Sequence, residues 1–146
     1  MTTLEPVSFN IQLLNDKGRC PKRATPESAG YDLYSAETGC INPGERKLIS
    51  IGIAMKIPTG YYGQISSRSG LCSKHGVITL GGVIDSDYRG ELFVMLLNTG
   101  SQPFEYAVHD RIAQILIIPV FQAMPQIVES LSATERAAGG FGSTGK

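Results

Sequence analysis

Apolar and polar positions alternate along much of the chain. In "LISIGIAMKI", Ile49, Ile51, Ile53, Met55 and Ile57 fall on one face, and Ser50, Gly52, Ala54 and Lys56 fall on the other. A period of two is the signature of a half-buried strand. Pro58, Thr59 and Gly60 then mark a turn. "VSFNIQLL" alternates in the same way through Val7, Phe9, Ile11 and Leu13. "ELFVMLLN" and "RIAQILIIPVF" are short apolar runs bounded by turn residues, and they predict strands packed on both faces. Val77 to Ile84 predicts a further strand, Asp85 to Gly90 a turn, and Glu91 onward a returning strand. Only "GLCSKHG" suggests a short helix, closed by Gly76; "LSATERAA" has helix formers but no apolar stripe and is expected to be irregular.

Composition narrows this to an all-β fold. The chain has 146 residues, 42% of them hydrophobic, which suits one domain with a real core. With 17 Gly and 8 Pro, long helices are disfavoured and frequent turns expected. A sandwich or barrel of short strands follows. The formal net charge of +0 argues against a nucleic-acid binder. No apolar run is long enough to span a membrane, and "MTTLEPVSFN" lacks the basic and apolar regions of a secretory signal. A cytoplasmic or nuclear protein is therefore expected. The three cysteines, Cys20, Cys40 and Cys72, are widely spaced and read as free thiols. With His75 and His109 as the only histidines, a zinc site is not expected.

Five polar, glycine-marked segments interrupt the β pattern: "AGYDLYSA", "GQISSRSGL", "GGVIDSDYRGE", "DRIAQ" and "RAAGGFGSTG". In the third, the plain reading is a hairpin built from turn residues. Two features favour a site. Gly81-Gly82 removes side chains where something could approach the backbone. Asp85, with Asp87 and Tyr88, then sets a carboxylate beside a flat wall. "SRSG" offers the Arg68 guanidinium, the Ser69 hydroxyl and the amides of Ser69 and Gly70, a set suited to phosphate oxygens or, more plainly, a capped turn with a solvated Arg. The Gln114 amide could donate to a ligand or to a neighbouring strand's backbone. Asp32, between Tyr31 and Leu33, reads as a buried carboxylate with a partly structural role.

The tail "GGFGSTGK" matches the spacing of the phosphate loop of nucleoside triphosphatases. That loop needs a following helix whose N-terminus faces the phosphates. Lys146 is the last residue, so a different use of these glycines and hydroxyls is expected. Residues 1–138 are assigned to one β domain and 139–146 to a flexible glycine-rich segment.

Together, in this order, the five segments are specific. The chain resembles the homotrimeric deoxyuridine triphosphatases (dUTP pyrophosphatases), whose five motifs are all present from Ala29 to Gly145; "GVIDSDYRGE" and "GGFGSTG" are the most diagnostic. The resemblance implies a small jelly-roll-like β barrel, a homotrimer with active sites at subunit interfaces, and a mobile C-terminal tail. It implies hydrolysis of dUTP to dUMP and pyrophosphate, which keeps uracil out of DNA and supplies dUMP for dTMP synthesis. It also implies Mg²⁺ held mainly by the substrate phosphates, with no direct protein ligand and Asp32 reaching it through water. Asp85 matches the carboxylate that orients water at the α-phosphorus, and Asp87 supports it. Tyr88 matches the aromatic that packs on the deoxyribose, and Gly82, Val83 and Ile84 match the backbone edge that reads uracil. Arg68, Ser69, Gly70 and Gln114 correspond to phosphate contacts. In the tail, Phe141 would cover the uracil, while Arg136, Gly142, Ser143 and Thr144 would reach the terminal phosphates as a lid closes.

The sequence departs from the family pattern in three places. Ser67 stands where Pro is usual, which implies a less rigid loop. Gln64 and Ser66 replace Arg and Ala, and Ala137-Ala138 replace Gly-Ser, which implies a stiffer lid hinge. Two rivals stay open at this level: a regulatory binding module on the same fold, and a related dCTP deaminase.

Overall fold

The structure is a computed structural model and describes residues 8–142. Among these residues the strands in chain order are β1 (Asn10–Leu13), β2 (Tyr31–Tyr34), β3 (Gly39–Ile41), β4 (Arg46–Ser50), β5 (Ile53–Lys56), β6 (Tyr61–Ser66), β7 (Val77–Leu80), β8 (Val83–Ile84), β9 (Phe93–Asn98), β10 (Phe104–Tyr106) and β11 (Arg111–Pro119). The helix is α1 (Ser69–His75), closed by Gly76 at φ 70°. The all-β expectation and the short helix both stand. No helix among the described residues is long and apolar enough to cross a membrane, and the three cysteines are free.

The alternation in 48–57 marks the buried isoleucines but neither the opposite face nor strand continuity. Ile49, Ile51, Ile53, Met55 and Ile57 are all buried, and so are Gly52 and Ala54 of the opposite face. The expected single strand is nevertheless two, because Gly52 turns at φ 64°. Its carbonyl accepts from the Leu14 amide at 2.9 Å, and Gly18 packs so closely against it that a side chain at 18 would collide with that oxygen. As a result β4 pairs with β9, whereas β5 pairs with β1. One apolar face thus lines the core from two sheets.

A second break matters more. The expected strand from Val77 to Ile84 divides at Gly81 and Gly82, with φ 64° and 97°. Two consecutive left-handed residues cannot continue a strand, and glycine adopts them without steric cost. β7 stays with β9, while β8 crosses to the edge of the sheet β2-β11-β6-β8. The expected hairpin is therefore not one: β9 returns along β7 and β4, not along β8.

Leu33, Ile41, Ile115, Val94 and Leu96 meet the isoleucines above in the core. Each such buried side chain is worth about 1.5–3 kcal/mol relative to exposure, which makes the two strand breaks affordable. "ELFVMLLN" buries one face only within the chain: Val94, Leu96 and Asn98 point inward, while Phe93 stays 38% exposed. Asn98 is satisfied at 2.9 and 2.8 Å by the carbonyls of Ile41 and Gln102. The alternation of "VSFNIQLL" leaves Leu13 exposed at the end of a two-stranded edge, and Val7 lies outside the described residues. β11 ends at Pro119, and from Phe121 to Gly142 no residue is in a strand.

Candidate active site

The long strand β11 sets one end of the site. Gln114 lies opposite Asp32 of β2 and Ser66 of β6, so these three side chains share a face and a rung. A register shift between Arg111 and Ala113 bends the strand just before them, as bulges near sites often do. Gln114 Nε2 donates to the Ser67 carbonyl at 2.9 Å, the backbone alternative that the sequence left open. Gly30 makes room for this, since a side chain there would collide with the Gln114 amide.

Arg68 stands beside this rung. Its Nε lies 3.7 Å from Asp32 Oδ1, with the two side chains 29% and 14% exposed. Its Nη1 donates to the Arg111 carbonyl at 3.2 Å. The mostly buried Asp32 is thus held by a guanidinium. Ser69 begins α1, and the first amides of a helix have no intrahelical partner. Those of Ser69 and Gly70 directly follow Arg68 in the chain. The sequence-predicted group Asp32, Arg68, Ser69, Gly70 and Gln114 is brought together.

The Asp85 loop is held differently. Tyr88 N–H donates to the Asp85 carbonyl at 3.1 Å, closing a turn. Arg89 Nη1 donates to the Ser86 carbonyl at 2.6 Å, and the Tyr88 hydroxyl donates to the Glu91 carbonyl at 2.7 Å. Gly90 is required, because a side chain there would strike the Tyr88 ring. Ser50 Oγ donates to Glu91 Oε1 at 2.7 Å and ties the loop's far end to β4. The Tyr88 ring is thereby held upright while 44% exposed. The carboxylates of Asp85 and Asp87 make no hydrogen bond or ion pair among the described residues. At Gly82 the protein itself comes close: a Cβ there would lie 2.6 Å from the Ile65 carbonyl oxygen, whereas Gly81 has open space beside it and is favoured by its φ of 64°.

β8 is an edge strand, paired with β6 on one side, so the outer groups of the Gly82–Ile84 backbone are available to a ligand. Asp85 separates two hollows. One, of about 260 Å³, is lined by Ile84, Tyr88, Leu92 and Phe93. The other, of about 780 Å³, is lined by Tyr61, Tyr62, Asp87 and Val120.

The two groups do not meet within one chain. Ile84 sits opposite Gly63 on β6, so Asp85 continues toward Tyr62, whereas Arg68 lies beyond the other end of that strand. Six residue steps run from Tyr62 to Arg68, roughly 20 Å in extended chain.

In the tail, Arg136 Nε donates to the Gly139 carbonyl at 2.6 Å, and Ala137 has φ 51°. Phe141 is fully exposed. Gly142 is the last described residue, so Ser143 and Thr144 lie outside the described residues.

The sequence matches the dUTPase family over residues 16–145. The chain belongs to the dUTPase family. Among curated dUTPases, the deoxyuridine 5'-triphosphate nucleotidohydrolase of Nautilia profundicola is 52% identical over 142 residues, covering 96% of this chain and all of that protein. The Staphylococcus bacteriophage 80alpha dUTPase, solved with dUPNHPP, superposes with a TM-score of 0.90 at 30% identity and covers 95% of this chain and 99% of that one. A mutant dUTPase from phage phi11 of S. aureus, described with a coordinated structural Mg(II) ion, has a TM-score of 0.81 at 28% identity and covers 85% and 98%. dUTPases generally use Mg²⁺. No group of three His, Cys, Asp or Glu that could cage a metal occurs among the described residues. Asp32 faces Arg68, and Glu105 and Asp110 line the same hollow as Arg68.

Sequence reasoning left a backbone partner for Gln114 open without naming Ser67, and it missed the Arg111 carbonyl, because backbone groups leave no trace in residue identity. It also missed Gly30, whose reason appears only once Gln114 is placed across from it.

Proposed function

We propose that the protein works as a homotrimer in which Asp85 of one subunit meets Arg68 of another. The reaction is the hydrolysis of dUTP to dUMP and pyrophosphate. The observation that carries the trimer reading is the separation of Asp85 and Arg68 toward opposite ends of β6. A chain that holds both halves of a site too far apart to share a substrate needs a second copy. Two further features support it. The outer face of the β4-β9-β7 sheet brings Ile78, Leu80, Met95 and Leu97 into register, flanked by Leu48 at 53% and Phe93 at 38% exposure. Phe121, Met124, Ile127 and Leu131 are also almost wholly exposed. A closed symmetric assembly would cover such faces.

In this reading uracil lies along the free edge of β8, where backbone N–H and C=O groups match its acceptors and its N–H. Cytosine presents the wrong pattern there. The Tyr88 ring packs on the deoxyribose, and a 2′-hydroxyl would collide with it. Arg68, the Ser69 and Gly70 amides and Gln114 hold phosphate oxygens. Mg²⁺, when bound with the substrate, would neutralise charge on its phosphates, and Asp32 would hold it through water. Asp85 has no partner of its own to give up. It orients a water at the α-phosphorus and takes its proton as the bond to the bridging oxygen breaks and pyrophosphate leaves. Residues 139–146 close over the nucleotide, with Phe141 on the base and Arg136, Gly142, Ser143 and Thr144 on the phosphates. The glycines allow closure, and contacts with the substrate offset the ordering cost. We assign the activity to the cytoplasm or nucleus.

Mixed trimers test the shared site. Asp85→Asn and Arg68→Ala should each be nearly inactive alone. Refolded or co-expressed together, they should regain activity, because about a quarter of sites in random trimers combine an intact Asp85 with an intact Arg68 from different subunits. No recovery, with mixed trimers verified by mass, would mean that both residues serve one site from one chain. Assaying pyrophosphate from dUTP and ammonia from dCTP also separates the triphosphatase from a deaminase or an inactive binding module.

A further inference from the structure

β6 is paired with β8, and that backbone pairing reaches back as far as Gly82, whose carbonyl accepts from the Ile65 N–H at 2.8 Å. Before Gly81 the chain belongs to β7, which pairs with β9 in the other sheet. Ser67 links the two. Its Oγ accepts from the Thr79 N–H at 2.9 Å, and the two hydroxyls lie 3.3 Å apart. The Ser67 carbonyl accepts from Gln114 Nε2 at 2.9 Å. One residue is therefore fixed from two sheets at once, by β7 through its side chain and by β11 through its backbone. The next residue is Arg68, whose guanidinium bridges to Asp32 and to the Arg111 carbonyl. The direction in which Arg68 leaves the chain is set by a hydroxyl.

From this geometry we infer that Ser67 is a positioning residue for the triphosphate, acting through Arg68 and the Ser69 amide. The loop is not loose in this chain. Ser67 supplies by hydrogen bonding the fixed geometry that a more rigid residue would supply covalently. The inference rests on the reading of Arg68 as a phosphate contact. It leaves the nucleoside edge at β8 and Tyr88 untouched, because Ser67 makes no contact with that loop.

The experiment compares Ser67→Thr with Ser67→Val. The two replacements have the same shape and favour extended backbone equally, and they differ in the hydroxyl that accepts from Thr79. Ser67→Ala and Arg68→Ala are measured beside them. For each trimer, affinity is read for the non-hydrolysable imido analogue of dUTP and for deoxyuridine, together with kcat and KM for dUTP. Ser67→Val and Ser67→Ala should weaken the analogue and raise KM by about tenfold, short of the roughly hundredfold cost of a full ångström of misplacement. Deoxyuridine affinity should not change, and Ser67→Thr should restore the parent values. Thr79→Val, which keeps the amide donor, should have little effect. Equal losses for the analogue and deoxyuridine would mean a general structural role and would overturn the inference. So would parental analogue affinity in Ser67→Val while Arg68→Ala loses it. If Arg68→Ala itself keeps analogue affinity, the phosphate reading fails first and takes this inference with it.

Discussion

The two ends of β6 are built on opposite principles. At the Arg68 end, side chains are fastened by their own chain: Arg68 to Asp32 and the Arg111 carbonyl, Gln114 to the Ser67 carbonyl, Ser67 to Thr79. At the other end, Asp85 and Asp87 are exposed and unpartnered among the described residues, although the loop beneath them is tightly closed by Arg89 and Tyr88. The difference follows from the work proposed for each. A highly charged triphosphate is best met by donors already oriented, since any freedom they had would be lost on binding. A carboxylate that must hold a water needs free lone pairs, so its backbone is fixed and its side chain is not.

The contrast is broken most severely at Asp85. Asp85→Asn should keep affinity for a non-hydrolysable analogue and lose about 10²–10⁴ in single-turnover hydrolysis. Near-normal hydrolysis would remove Asp85 from the chemistry and leave the open end without a purpose.

Deleting residues 139–146 comes next. Turnover should fall by about 10², while thermal unfolding and trimer mass stay close to those of the full chain. Phe141 is fully exposed, so its loss takes nothing from the core. A deletion that unfolds would make this segment structural, and a fully active one would deny that it is a lid.

Tyr88→Ala sharpens the contrast by testing one wall of the open end. The kcat/KM ratio of UTP to dUTP should rise about tenfold as space for a 2′-hydroxyl appears, with phosphate affinity preserved. An unmoved ratio would put sugar selection elsewhere.

The smallest effect is expected at the hinge. Ala137 holds φ 51°, where a side chain costs roughly 1–2 kcal/mol relative to the right-handed region. Ala137→Gly should relieve that strain but leave a more flexible hinge, changing turnover by no more than about threefold, with stability of the barrel unchanged. A large loss of activity would mean that the strained turn itself orients the lid.

The sequence alone determined much of the core and which chemical groups the chain offers. Period-two alternation placed Ile49 through Ile57 in the core because side-chain direction along extended backbone is a local property. The five polar segments carried the family likeness because their residue types are what the reaction demands. Strand ends were less legible. Gly52 and Gly81-Gly82 looked like pauses in strands, yet each sends the chain from one sheet to another, a choice made by partners far away in sequence: Leu14, Gly18 and Ile65. Asp32 was legible as a held carboxylate but not as the partner of Arg68, since a side chain's partner depends on which strands lie side by side. The bond from the Thr79 amide to Ser67 Oγ was not legible either, because it joins the end of β6 to a strand of the other sheet. Residue identity states what a group can bond to; the tertiary structure decides which groups come within reach, and here it also set Asp85 and Arg68 toward opposite ends of a single strand.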